Sequence, residues 1–524
     1  MIVADRVPDD HTTETNRGML MIKGLRLIAL GLPLSLAIGL AGGVARADPQ
    51  MIEVRTPHFT VYSELGEAKT REFVEDARRF EAVIALLVPG LDLSPPSPTR
   101  VYLLSMSTLD SISPIDMPQS YAFAAQLPFD GFYVVNLPSD WQRGYETFHY
   151  LYLQDLLRAD GPLQTPEWYQ LGLAILLEST AFTKDGAVVG KAPADEWDTL
   201  GESDWIPLQQ VFAAALDMKP PLPIKEWRSY RRQSWALLHY ATLESPPTMQ
   251  AVSKYLVAWR NGQPQDAAFQ AAFGTSYEEL GKSLRAYVNQ SQHRFVTIPY
   301  ERLALGDPWR VTVFDLDERA RNLVLGDFVL RSGRTSRKCT EFFKRVLAKE
   351  PADRQAIGGQ AVCLARDGKA AEGRALLEGA LQGTPDDPSL RKALVQVMPY
   401  EQPRRARTAA DRLETRRLLE PVVRTEPNAY DALFEYAWTF EADQADDSLA
   451  LSRLEEALAR MPRNIDLWHA RAMLNTRDGN VPGAREAWSE VLRLAPTSAA
   501  RDMARGKIAE IDAKTTAAPA DASH

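Results

Sequence analysis

Residues 141–180 read WQRGYETFHYLYLQDLLRADGPLQTPEWYQLGLAILLEST, and the reading of the whole chain turns on this stretch. Tyr145, Phe148, Tyr152, Leu156 and Leu157 recur at helical spacing, which predicts a first helix. A loop rich in Gly and Pro follows. A second helix is predicted after Pro166-Glu167-Trp168-Tyr169, carrying Leu171-Gly172-Leu173-Ala174-Ile175. Tyr145, Glu146 and His149 are the groups of the first helix with chemistry to offer. The same residues also suit a plain core helix, because most of the face they share is apolar or aromatic.

Two ligands at i and i+4 lie on one helix face and can hold one zinc ion. A Glu beside the first of them activates a zinc-bound water, and a catalytic zinc takes three protein ligands with one open position. The stretch resembles the zinc core of gluzincin metallopeptidases, specifically peptidase-MA-like proteins with C-terminal tetratricopeptide repeats. In that family the first helix carries H-E-x-x-H and the second W-x-x-E-G-x-A-E. Aligned so, Tyr145 stands for the first His, Glu146 for the base and His149 for the second His. Leu171 stands for the third ligand and Ile175 for the later Glu. The resemblance therefore implies a degenerate site. Glu146 is a vestigial base position, His149 a vestigial metal ligand, and Tyr145 and Leu171 occupy lost ligand positions. A second register begins the motif at His149, with Tyr150 at the base and Leu153 at the second ligand. Glu178, two turns past Leu171 on about the same face, is a further oxygen candidate. No cofactor is expected; zinc enters only under the alternative of a metallopeptidase with atypical ligands.

A chain of 524 residues is too long for one typical domain. With 45% hydrophobic and 25% charged residues it has the composition of a soluble globular protein. A net charge of -9 and no Lys/Arg-rich run exclude nucleic acid as a default partner. Near the N-terminus, Lys23 and Arg26 precede an apolar run from Leu27 to Leu40, and Ala45-Arg46-Ala47 is a small-x-small cleavage pattern. Residues 1–47 are therefore expected to be an extension plus signal peptide, cleaved after Ala47. The expected destination is secreted or periplasmic, with no stable membrane anchor left after cleavage.

Residues 48–300 read as one α+β domain. Met51 to Ser63 alternates like one or two strands with a turn at Pro57, where His58 is expected at the surface. Glu67 to Leu87 has helical periodicity, Arg100 to Ser105 and Tyr121 to Asn136 read as strands, and a loop is expected after Thr180. Ser234 to Tyr240 is similar to the S-W-A-L-x-H-Y segment of the same family, with Arg231 at a position usually held by Tyr. His239 within it is expected to be structural. Residues 301–316 read as an extended connector.

Beyond it the composition turns to Ala, Leu, Arg and Glu. Pro351, Pro385, Pro427, Pro462 and Pro496 follow apolar helices at spacings of 34, 42, 35 and 34 residues, a period like that of tetratricopeptide repeats. The 42-residue gap holds an insertion around Pro399 to Arg407. Residues 317–513 are expected to form an all-α repeat solenoid, and 514–524 a disordered tail. Stacked repeats leave a concave groove, so a protein or peptide partner is expected there. Tyr430, Phe434, Tyr436, Trp438, Trp468, His469 and Arg471 are the candidate contacts, with His469 and Arg471 expected to be the exposed ones. The only cysteines, Cys339 and Cys363, flank Pro351 at equal distance. If the chain reverses at Pro351 they face each other within disulfide range; two reduced core cysteines are the other reading.

The fold class read from the sequence is thus an α+β gluzincin-like domain followed by an all-α tetratricopeptide-repeat solenoid. The expected function is protein–protein interaction or scaffolding by an exported pseudoenzyme. The alternatives are a zinc metallopeptidase and a cell-envelope assembly factor.

Overall fold

A computed structural model describes residues 50–517, apart from 96–97, 113–121, 126–131, 137–140, 160–164, 193–204, 214–222, 291, 333–337, 403–405, 442, 444 and 496–497. The expected signal peptide and its cleavage site lie outside the described residues. Among the described residues there are 20 α-helices and two sheets.

The N-terminal part is built on a six-stranded sheet. β1 (Met51–Arg55) and β2 (Phe59–Ser63) form a hairpin, and α1 (Glu67–Leu87) follows. Next come β3 (Thr99–Leu104), α2 (Met106–Ile112), β4 (Ala122–Ala125) and β5 (Phe132–Asn136). The strand order is β4-β5-β3-β2-β1 plus one further strand beside β1. That strand is β9 (Thr312–Leu316), antiparallel to β1. The segment read as a connector therefore closes the sheet, because Thr312-Val313-Phe314-Asp315-Leu316 alternates and meets the free edge of β1.

Alternation along the strands gives the sheet two apolar faces. Ile52, Val54, Phe59, Val61, Val101 and Leu103 turn to the face covered by α1, α3 (Trp141–Ala159) and α4 (Glu167–Glu178). Met51, Tyr102, Leu104, Phe132 and Val134 turn to the other. The region after Thr180, expected as a loop, is a hairpin of β6 (Ala181–Thr183) and β7 (Gly186–Val189), joined by β8 (Val296–Ile298) into a three-stranded sheet. Its turn is Lys184-Asp185, and the extended positive φ of Gly186 brings it where a Cβ would lie 2.1 Å from the Ile298 carbonyl oxygen. Short helices α5 (Leu208–Ala213), α6 (Ile224–His239), α7 (Pro246–Arg260), α8 (Gln265–Phe273) and α9 (Tyr277–Val288) complete this part.

The C-terminal part is helical. α10 (Glu318–Arg331), α12 (Arg354–Arg366), α14 (Pro388–Glu401), α16 (Tyr430–Trp438) and α18 (Ile465–Arg477) alternate with α11 (Lys338–Lys349), α13 (Ala370–Gly383), α15 (Ala409–Thr425), α17 (Ser448–Arg460) and α19 (Val481–Leu494). α20 (Ser498–Ala517) ends the described chain, so Lys514 to Ala517 continue a helix and only 518–524 fall outside. Pro351, Pro385, Pro427 and Pro462 each stand in the turn that opens a new pair, where a missing N–H costs nothing. Asp353, Asp387 and Asn464 cap the following helices by accepting from a backbone N–H. α10 touches α12, α12 touches α14, and α16 touches α18; the intervening helices make no comparable approach to one another. The first set is the row whose members meet directly at one-repeat spacing, called the inner row below.

The two parts share a core. Leu325, Phe328 and Val329 of α10, with Phe342, Phe343 and Val346 of α11, pack with Met51, Tyr102 and Phe132 of the sheet. A Cβ on Gly326 would lie 2.7 Å from the Phe343 ring and one on Gly359 only 2.3 Å, so two glycines on α10 and α12 make the slot this ring fills. Cys339 and Cys363 are joined in a disulfide beside it, with Cα atoms 5.9 Å apart.

Candidate functional site

α3 and α4 both carry long apolar faces and lie side by side in the core. His149 is fully buried on α3 with its ring stacked on Phe80, centroids 3.9 Å apart. Its Nε2 lies 2.6 Å from Asp76 Oδ1 on α1, and its Nδ1 lies 3.3 Å from the backbone oxygen of Glu178 at the end of α4. Both ring nitrogens thus face oxygen atoms of the protein itself, and neither is turned to an open position.

The remaining motif positions bring it no metal ligand. His149 is in the first half of α3 and meets the C-terminal end of α4, so the two helices run antiparallel. Leu171 lies seven residues before Glu178, roughly 10 Å along the axis, and so faces a later part of α3. Leu171 and Ile175 are both core residues, 2% and 0% exposed. Tyr145 is buried with its ring stacked on Phe73 at 6.0 Å. Burial, then the charges of Asp76 and Glu72, push its phenol well above the usual tyrosine range, which keeps it protonated and a poor metal ligand. Glu146 accepts a hydrogen bond from Gln142 at 3.0 Å. In the second register Tyr150 accepts from Arg231 at 2.8 Å and Leu153 is buried in the core. Tyr145 and His149 lie one turn apart with ring centroids 6.4 Å apart, and Leu171, a core side chain, offers no ligand atom. Glu178 reaches His149 through its backbone and not as a carboxylate. These residues do not fit a catalytic zinc.

What the geometry builds instead is a polar seam between α1 and α3. Asp76 holds His149, and Glu81 accepts from the Tyr152 hydroxyl at 2.6 Å and pairs with His58 Nδ1 at 2.8 Å. His58, expected at the surface, is half-buried with its ring 4.7 Å from Trp309. Burial and the Glu81 charge hold the Tyr152 phenol well above its usual range. Asp76 sits three residues after Phe73 and four before Phe80, and Glu81 four after Ala77 and three before Ile84. Both acids thus occupy core spacing in α1, and that is the signal a search for apolar periodicity passes over.

The Ser234 to Tyr240 segment also meets the α3–α4 stretch. A Cβ on Gly172 would lie 2.4 Å from the Ser234 carbonyl oxygen, so α4 and α6 cross at a glycine. His239 is fully buried at the end of α6. Its Nε2 donates to the Gly190 carbonyl at 2.7 Å and its Nδ1 accepts from the Tyr287 hydroxyl at 2.5 Å, the pattern of a neutral ring. Burial lowers its pKa to about 4.

On the helical array the expected contact residues are mostly internal. Tyr430 and Tyr436 are each 3% exposed and belong to the core, because α16 is buried by its neighbours. Trp468 donates from Nε1 to the Pro462 carbonyl at 2.8 Å. Arg471 is not a free cation: it pairs with Glu455 at 2.6 Å and Glu486 at 3.1 Å and keeps only 15% of its side chain exposed. His469 is wedged between Trp438 and Trp488, with centroids 5.7 and 5.2 Å away, and burial lowers its pKa. Aromatic residues one turn apart on an inner helix pack first against the next pair. Exposed inner-row side chains are found on α14, at Gln396 and Tyr400.

No family model matches the chain, and neither a curated protein nor a solved structure matches it.

Proposed function

We propose that this chain is an exported scaffold whose C-terminal helices form a tetratricopeptide-type array that binds an extended segment of a protein or peptide. Its N-terminal part is a gluzincin-like domain that has exchanged zinc chemistry for packing. The observation that carries this reading is the double engagement of His149 by Asp76 and Glu178, at a position where a metallopeptidase needs a free ring nitrogen. The proline-punctuated helix pairs support the second half of the reading, since pairs with one apolar face each bury it by stacking and leave an inner row accessible.

The test is site-specific photocrosslinking in the exported compartment with the full chain. A crosslinker at Gln396, on the inner row, is compared with one at Gln382, exposed on α13 of the outer row. Protein adducts from Gln396 and not from Gln382 are expected. Equal yields from both, or none from either, would sink the scaffold reading. A truncation at Leu316 is unsuitable, because it strips α10 and α11 from the sheet face they cover.

A further inference from the structure

The six-stranded sheet ends at β9, which pairs with β1 on one side and, among the described residues, with no strand on the other. The register is unbroken from Met51 opposite Leu316 to Arg55 opposite Thr312, so the strand has no bulge. It also carries no proline and no lysine, which are among the devices that blunt an edge. Thr312 and Phe314 are exposed, Phe314 at 41%, and the Arg55 guanidinium lies 4.6 Å from the Phe314 ring. Run on before Thr312, the same register places Trp309 opposite His58, and their rings are 4.7 Å apart. The indole N–H of Trp309 has no acceptor among the described residues. Asp315 accepts from Gln50 at Oδ1, 3.2 Å away, and its Oδ2 has no donor among the described residues.

We propose that this edge pairs with the same edge of a second copy of the chain, antiparallel about a two-fold axis at Thr312. Opposed residues of antiparallel strands share a face and neighbours along a strand do not, so the axis passes through a residue and not between two. An axis at Thr312 sets Val311 against Val313, Arg310 against Phe314 and Trp309 against Asp315 of the other copy. Val311 and Val313 are both only partly buried at the rim of the core, so each covers the other. A guanidinium meets the ring that already attracts Arg55, and an indole N–H without an acceptor meets a carboxylate oxygen without a donor. An axis at Val313 would set Val311 against Asp315 and Arg310 against Leu316, and one at Val311 would set Asp307 against Asp315. The residues of the strand therefore select Thr312. The paired stretch, residues 309–315, falls well short of the roughly 20–30 residues a side of a standard interface, so the dimer is weak and concentration-dependent. The two six-stranded sheets become one, and α10, which begins at Glu318 just past β9, starts a helical array on each side of the axis.

The experiment uses the full chain with its native disulfide, in analytical ultracentrifugation from about 1 μM to about 1 mM. Association that rises over this range is expected; a chain that stays monomeric throughout overturns the edge pairing. Thr312 is exposed, so its substitution leaves the core of the single chain alone. Thr312→Lys and Thr312→Glu each set like charges against one another at the axis. Each should weaken association about five-fold, and the equimolar mixture of the two should recover it. Unchanged association in both single variants, or no recovery in the mixture, overturns pairing about Thr312. Thr312→Cys reads the register directly, because residues opposed across antiparallel strands have Cα atoms about 4.5–5.5 Å apart, within disulfide reach. A covalent dimer of Thr312→Cys under mild oxidation, and none of Phe314→Cys, is expected. Equal yields from the two, or a covalent dimer from neither, overturn the register.

Discussion

Arg321, on the first helix of the C-terminal array, reaches Glu64 at the end of β2 across 3.3 Å, and the Glu64 side chain is only 1% exposed. Glu64 also accepts from the Ser105 hydroxyl at 2.9 Å and the Thr108 hydroxyl at 2.9 Å, so one carboxylate caps α2 and anchors the array. Removing one partner of a buried charge costs more than the pair contributes. Arg321→Met is expected to destabilise the whole protein by about 3 kcal/mol. Because the sheet and α10 share a core, calorimetry should show both losing stability together. Destabilisation confined to the array would contradict the shared core.

The slot for Phe343 gives a second expectation. Gly359→Ala puts a methyl into the ring, which the opposing Gly326 wall cannot relieve, and should cost about 1–3 kcal/mol. Phe343→Leu frees space at its own cost. The double variant should be more stable than the sum of the single losses, measured by denaturant unfolding. Simple additivity would show that the ring and the glycine do not meet.

Acid sensitivity follows from His239. Its ordinary pKa is 6.5 and its folded value about 4, so between these the unfolded chain binds a proton that the folded chain does not. Stability from this group is fully present above pH 6.5 and is lost as the pH falls through 4. The loss amounts to about 3 kcal/mol. Burial lowers the pKa of neighbouring His293 in the same direction. Thermal unfolding across this range should show the decline, and His239→Gln should be less stable at pH 7 yet flatter with pH. An unchanged slope would remove His239 as its cause.

A zinc site introduced on the motif-like stretch should fail. Tyr145→His with Leu171→Glu supplies the letters of a zinc motif, but Leu171 lies two turns from the end of α4 that His149 meets. A carboxylate at position 171 would enter the core and destabilise by several kcal/mol. Elemental analysis of the double variant should find no stoichiometric zinc; one zinc per chain, lost on His149→Ala, would reverse the assignment.

The Cys339–Cys363 disulfide closes a short loop, with a sequence separation of 24. Replacing both by Ser should cost about 3 kcal/mol. Mass spectrometry of protein taken from its own compartment, alkylated before digestion, should find no free thiol. Two alkylated cysteines would place the bond out of use there.

Much of the architecture is written locally. The helical periodicity of Glu67 to Leu87 matches α1 residue for residue, and prolines mark the turns of the array because a residue without an N–H is best placed where none is needed. The β6–β7 hairpin, expected as a loop, was not legible, because its strands are too short to announce themselves by alternation.

The sequence by itself determined the proline period of the helical part and the residue types, Tyr145 and Leu171, that stand beside His149 in the motif-like stretch. Only the tertiary structure decided which groups meet them. Asp76 comes to His149 from a helix 73 residues away, β9 pairs with β1 across the length of the N-terminal part, and Arg471 is neutralised by acids of two neighbouring helices. The physical reason is that periodicity reports which face of an element is buried, whereas hydrogen bonds and ion pairs depend on which element covers that face, and this is set by packing between segments distant in the chain.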